Sequence, residues 1–182
     1  LMHYGNPDDF QWDVVSGISA GAINTGALSV WRPDQGLEMS EWVSMQWQIL
    51  TTSTVWQFWE KPIEKGLIDG IKNHSGIVNS DPLLNYLTEI LAPFGDYGEG
   101  RRSIVAAADA NSGDVVNFSS EGSFADWPLG LTSSASIPAV FPSRKVGDDI
   151  CIDGGTAWGL NPINAIEECL KIVDDPSKIT MD

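Results

Sequence analysis

Apolar residues fall in short blocks along the chain, and the spacing changes from block to block. Residues 6–9 are a polar turn, and the β-branched pair Val14-Val15 behind them reads as the end of a buried strand. Small and apolar positions then recur at helical spacing, at Ala20, Ala22, Ile23, Ala27 and Leu28, and predict a close-packing helix to Val30. Residues 32–36 read as a loop, and Ser40 as the N-cap of a helix through Leu50. Residues 51–80 are rich in Thr and Trp, are punctuated by Gly66, Gly70 and Gly76, and give no clear element. Asp81-Pro82 opens a helix whose buried face is Leu83, Leu84, Leu87, Ile90 and Leu91, and Pro93 and Gly95 end it.

The second half alternates in the same way. Residues 103–108 form an apolar run of strand length, 111–113 a turn, and 115–118 a returning strand, which together predict a hairpin. Residues 150–152 predict another short strand, ending at Asp153-Gly154-Gly155. Asn161-Pro162 caps a last helix through Ile172. Strands and helices taking turns favour a layered α/β fold. With no repeat, linker or low-complexity tract, residues 1–182 read as one domain.

Composition narrows the function classes. The net charge is −15, which argues against nucleic acid as a partner and against electrostatic docking on anionic lipid. No apolar run approaches the length of a membrane span. Cys151 and Cys169 make neither a disulfide framework nor a metal signature and leave the redox compartment undecided; the location is open, with cytoplasmic and peripheral to membranes among the options. The chain begins at Leu1 and stops in Lys178-Ile179-Thr180-Met181-Asp182, a segment that reads as the start of a strand. Both ends therefore read as cut.

The chemistry-bearing pattern is Gly17-Ile18-Ser19-Ala20-Gly21, where the first strand hands over to the first helix. A serine between glycines on such a turn is lifted out of the sheet as a nucleophile. Gly17 and Gly21 are expected to be glycines because a side chain there would collide with the neighbouring strand or helix. The pattern alone is weak. With 18 Gly in 182 residues and as many Ser, it arises by chance about once in six such chains. An ordinary serine in a glycine-rich turn accounts for the segment equally well.

A serine hydroxyl needs a base. His3 precedes the turn in a terminal segment, His74 sits in what reads as an exposed loop, and no histidine follows Asp153. Both histidines read as bystanders. Carboxylates at strand ends are the other candidates: Asp109 and Asp153. Asp109 opens Asp109-Ala110-Asn111-Ser112-Gly113, where it most simply stabilises a turn. Asp153 is preferred because Gly154 and Gly155 would let a backbone or a substrate approach closely.

These pieces, with Ala135-Ser136-Ile137-Pro138-Ala139-Val140-Phe141-Pro142 and Asn161-Pro162 in the same order, resemble the patatin-like phospholipases. The likeness covers most of residues 13–31 and 102–170, and only loosely 32–100. It implies a layered α/β/α sheet with a strand–elbow–helix turn, and a lipid acyl hydrolase of phospholipase A or esterase type. It implies Ser19 as nucleophile, Asp153 as general base, an acyl-enzyme, a lipid ester as substrate, and neither metal nor cofactor. Such a substrate is met at a membrane surface or in solution. The family's glycine-rich oxyanion loop before the elbow strand has no counterpart in residues 1–16, where Gly5 stands alone. The donor left in this chain is the Ala20 N–H, at the start of the helix.

Two other readings share these residues. One is an acyltransferase with the same dyad, an alcohol replacing water; the other is an inactive lipid-binding or interaction domain lacking the oxyanion loop. Trp42, Trp47, Trp56, Phe58 and Trp59 read either as an interfacial lip over a lipid site or as an aromatic core, and the core is favoured.

Overall fold

The computed structural model describes residues 4–60, 62–95 and 101–182. After a 3-10 turn at Pro7–Phe10 comes β1 (Val14–Ile18), and one residue later α1 (Ala20–Ser29). A second 3-10 turn, Pro33–Gln35, runs into α2 (Gly36–Ile49). Then follow α3 (Thr52–Val55), α4 (Ile63–Asn73) and α5 (Asp81–Leu91) with a 3-10 tail at Ala92–Phe94. The second half holds β2 (Arg102–Asp109), β3 (Val115–Ser119), a 3-10 turn, α6 (Trp127–Ser134), β4 (Arg144–Val146), β5 (Asp149–Asp153), a 3-10 turn at Gly154–Thr156, α7 (Pro162–Leu170) and a last 3-10 turn at Pro176–Lys178.

β2 is the spine of the sheet. β1 runs parallel to it, with Ile18 opposite Ala106, and β5 runs antiparallel, with Asp153 opposite Ala107. Backbone groups of alternate residues point to the same strand edge. The Arg102 N–H donates to Asp13 O before β1, and the Ala110 N–H donates to Ile150 O of β5. Both donors are even-numbered, so β1 and β5 share one edge of β2 and converge end to end. β3 forms the expected hairpin along the other edge, and β4 pairs outside β5.

The layers follow from side-chain alternation along β2. Val105 packs with Ala22 of α1, with Leu83, Leu87 and Leu91 of α5, and with Trp127 and Leu131 of α6 in the buried core. From the opposite face, Arg102 donates to Glu168 of α7, and Asn164 of α7 donates to Asn117 of β3. The result is an α/β/α arrangement around a five-stranded mixed sheet.

Several boundaries differ from the expectation. Ser40 is no N-cap: α2 begins four residues earlier, and the Ser40 hydroxyl donates to Leu37 O inside the helix. Residues 32–36, expected to be a loop, instead hold a 3-10 turn from Pro33 that runs into α2. The buried Arg101 holds this corner by donating to the carbonyls of Trp31 and Pro33. Asn161 makes no side-chain cap to α7; its Oδ1 accepts from Asn164 Nδ2 instead. α3, α4, α6 and the short strand β4 were not expected, and residues 179–182 form no strand. The aromatic residues serve mainly as packing. Trp31, Trp42 and Phe94 form one cluster and Trp56 meets Phe58, whereas Trp47 is half-exposed with its Nε1 donating to Asn24.

Candidate active site

One residue, Ser19, makes the turn from β1 to α1. Its φ of 57° and ψ of −126° lie where a residue with a side chain rarely sits. Such strain costs on the order of 1–3 kcal/mol and persists only where the surroundings impose it. Here the surroundings can be named. The Ser19 N–H donates to Ser134 Oγ at 2.9 Å, and Ser134 Oγ donates to Ala106 O at 2.6 Å. Ala106 stands where β1 gives way to β5, so its carbonyl is served by a side chain at the gap between the two strands. Ser19 O accepts the Ala22 N–H of α1 at 2.9 Å.

Gly17 behaves as expected. A Cβ there would lie 2.3 Å from Gly21 O and 2.4 Å from Thr25 Oγ1. Gly21 does not. A Cβ on Gly21 would meet no atom within 4 Å, so no collision demands glycine there. The two glycines of the pattern are physically unlike: Gly17 faces the helix that packs on it, and Gly21 faces open space.

Asp153 ends β5 and is buried. Ser19 Oγ donates to its Oδ2 at 2.6 Å. Its other oxygen, Oδ1, accepts the Gly155 N–H at 2.7 Å. Its main-chain N–H donates to Ser136 O at 2.8 Å, and Thr156 Oγ1 donates to its carbonyl at 2.7 Å. The carboxylate is thus oriented by the Gly154–Thr156 turn, with one oxygen left for Ser19. Gly154 admits this turn, because a Cβ there would lie 2.1 Å from Ala106 O. Gly155 supplies the N–H that fixes Oδ1. Among the described residues, no cation forms an ion pair with Asp153.

The other candidates lie elsewhere. Asp109 is a turn aspartate: Oδ1 accepts the Ile150 N–H and Oδ2 the Ser112 N–H, both at 2.9 Å. These bonds, that of Ile150 foremost, hold its carboxyl at a pKa of about 2. His74 closes α4 rather than sitting in a loop. Its Nε2 lies 3.0 Å from Asp69 Oδ2 and its ring stacks on Trp59 at 3.9 Å. His3 lies outside the described residues. Ala20 is exposed and opens α1, so its N–H is among the helix donors without an intrahelical partner.

Ile137 and Val140, on the segment leading away from Ser136, are exposed, and so are Trp158 and Leu160 beyond the Gly154–Thr156 turn. They lie on the two segments whose Ser136 and Thr156 hold the Asp153 main chain. The apolar cavity between α1, α2 and α5, about 30 Å³, does not reach Ser19. Among the described residues no group of His, Cys, Asp and Glu could hold a metal ion, and no helix is long and apolar enough to cross a membrane.

Ser134 is the site residue that sequence reasoning missed. It stands in a run with Ser133 and Ser136, and nothing in the run marks out the one that reaches the elbow. The weak available signal was its distance of two residues from the Ser136-Ile137-Pro138 stretch. A family model described as patatin-like phospholipase matches residues 2–165. Comparison with curated proteins gives no match.

Proposed function

The chain belongs to the patatin-like phospholipase family, a family of lipid hydrolases, and from that premise we propose a Ser19–Asp153 dyad that cleaves lipid esters through an acyl-enzyme. The observation that carries this reading is the 2.6 Å hydrogen bond from Ser19 Oγ to Asp153 Oδ2, made by a serine held at positive φ.

The cycle balances with these two side chains and water. Ser19 Oγ attacks the ester carbonyl carbon while its proton passes to Asp153 Oδ2. The carbonyl oxygen becomes an oxyanion, for which the Ala20 N–H at the positive end of α1 is the donor proposed in this chain. Collapse expels the alcohol or lysolipid, which takes the proton from Asp153. Water then gives a proton to Asp153 and attacks the acyl carbon. Ser19 leaves, recovers the proton, and the fatty acid is released. A carboxylate is a weaker base than imidazole, and the fixed orientation of Asp153 toward Ser19 Oγ offsets part of that deficit.

The test is labelling by an alkyl fluorophosphonate followed by peptide mapping. Label confined to Ser19, and lost in Asp153→Asn, supports the dyad. Label on another serine, or undiminished labelling and ester turnover in Asp153→Asn, overturns it. A folded protein that takes no label at all would instead be the binding domain considered above.

A further inference from the structure

α4 is amphipathic in the wrong sense for a helix of a globular core. Its buried positions are two glycines, Gly66 and Gly70, while Ile63, Ile68 and Ile71 are exposed. The glycine side packs closely. A Cβ on Gly66 would lie 2.8 Å from the Glu60 backbone, and one on Gly70 would lie 2.3 Å from Gly76 O. Trp59 packs beside Gly70 and donates from Nε1 to Gly76 O at 3.0 Å. At roughly 100° per residue, Ile63, Leu67, Ile71 and Ile68 span an arc of about 140° that begins beside Gly70 at Ile63 and lies opposite the contact at Ile68, with Glu64 inside it on the first turn.

We propose that α4 is a docking helix for a zwitterionic phospholipid surface. Three observations choose this occupant. First, Lys65 and Lys72 lie beside the Ile68 edge of the arc, where ammonium groups meet lipid phosphates when the apolar face is immersed. Second, α4 carries Glu64 and Asp69 against Lys65 and Lys72, a net charge of zero on a chain of −15. It is a neutral element on a surface that otherwise repels anionic lipid. Asp69 is turned along the helix, bonded to Asn73 Nδ2 and to His74 Nε2. Third, α4 is tied to the surroundings of Asp153. Gly76, right after the helix, bridges to Ala139, and Ile77 N–H donates to Ala139 O at 3.1 Å. Ala139 lies three residues from Ser136, which holds the Asp153 main chain, and the exposed Ile137 and Val140 sit on the same segment.

The surface serves the lipid-directed reading above, yet its test reads binding alone. The experiment is flotation of the chain with phosphatidylcholine vesicles. It is run for wild type, Ser19→Ala, and Ile68→Ser with Ile71→Ser, the last checked for an unchanged circular dichroism melt. Both isoleucines are more than half exposed, at 55% and 66%, so the fold does not depend on them. Wild type and Ser19→Ala should float alike, and the double variant should partition at least about tenfold more weakly. Adding Lys65→Glu and Lys72→Glu should weaken binding further, and the absence of a further loss would overturn the role given to the lysines. Failure to float, flotation unchanged by the isoleucine pair, or binding only to phosphatidylglycerol vesicles would overturn the proposal. So would a dimer in sedimentation that the isoleucine pair abolishes, which would make the occupant a second copy of the chain. A chain that floats but takes no fluorophosphonate keeps the docking helix and loses the dyad.

Discussion

Changing Gly17 and Gly21 to alanine one at a time should give opposite results. In Gly17→Ala the new methyl would sit 2.3 Å from Gly21 O and 2.4 Å from Thr25 Oγ1, where ordinary contact begins at 3.4 Å. The nearest atom is backbone and cannot rotate away, so β1 and α1 must part by about 1 Å. Overpacking of this kind costs about 1–3 kcal/mol. At roughly 2–4 °C per kcal/mol for a chain of this size, Tm should fall by about 2–12 °C. The same displacement acts on the 2.6 Å bond between Ser19 and Asp153. A misplacement near 1 Å can cost about 10²-fold in rate. In Gly21→Ala the methyl meets nothing within 4 Å, and alanine gains up to about 1 kcal/mol over glycine in a helix. Its Tm should hold or rise by about 2 °C, with most of the turnover kept. The assay is release of p-nitrophenol from a short-chain ester beside a circular dichroism melt. Equal damage in both variants, or a harmless Gly17→Ala, would refute the steric argument and leave the two glycines equivalent.

Ser134→Ala leaves the Ser19 N–H and the Ala106 carbonyl without their shared partner; a loss of about 1–3 kcal/mol in urea unfolding is expected. Ester turnover should fall with it, and threonine should restore less than serine. His74→Ala should keep most of the ester turnover, since its partners are Asp69 and Trp59; a loss of several orders of magnitude would bring back a Ser-His mechanism. Asp109 has a folded pKa of about 2, below the 3.8 of the free side chain. Its contribution to stability is therefore complete above pH 3.8 and disappears as the pH falls through about 2. Asp109→Asn should flatten that part of the acid-unfolding curve, and an unchanged curve would remove Asp109 from the account.

What was legible in the sequence was local or carried by spacing. Val14-Val15 ahead of Gly17-Ile18-Ser19-Ala20-Gly21 marks the elbow, because strand, turn and helix each leave their own residue types there. Asp153 was legible as a carboxylate at a strand end followed by glycines. What it touches was not, because β1 and β5 sharing an edge of β2 is a tertiary fact. Ser40 misled because a serine suits an N-cap and the interior of a helix alike, its hydroxyl finding Leu37 O in the latter. α4 was hidden because its buried stripe is glycine, which reads as loop. β4 was missed because three residues, two of them Arg144 and Lys145, carry no apolar alternation. The role of Gly21 was misjudged because flanking glycines look symmetric in a motif and are not symmetric in space.

The end-to-end meeting of β1 and β5 bears on when the molecule could first act. The two members of the proposed dyad are 134 positions apart in the chain, and they arrive at the same spot from opposite directions. During synthesis the elbow strand emerges well before β5. A growing chain therefore carries Ser19 through the synthesis of those 134 positions before Asp153 can reach it. On the proposed dyad, the serine has no base until β5 docks. Ester turnover is then a late signal of refolding, recovered after the helical signal and only with the whole sheet assembled.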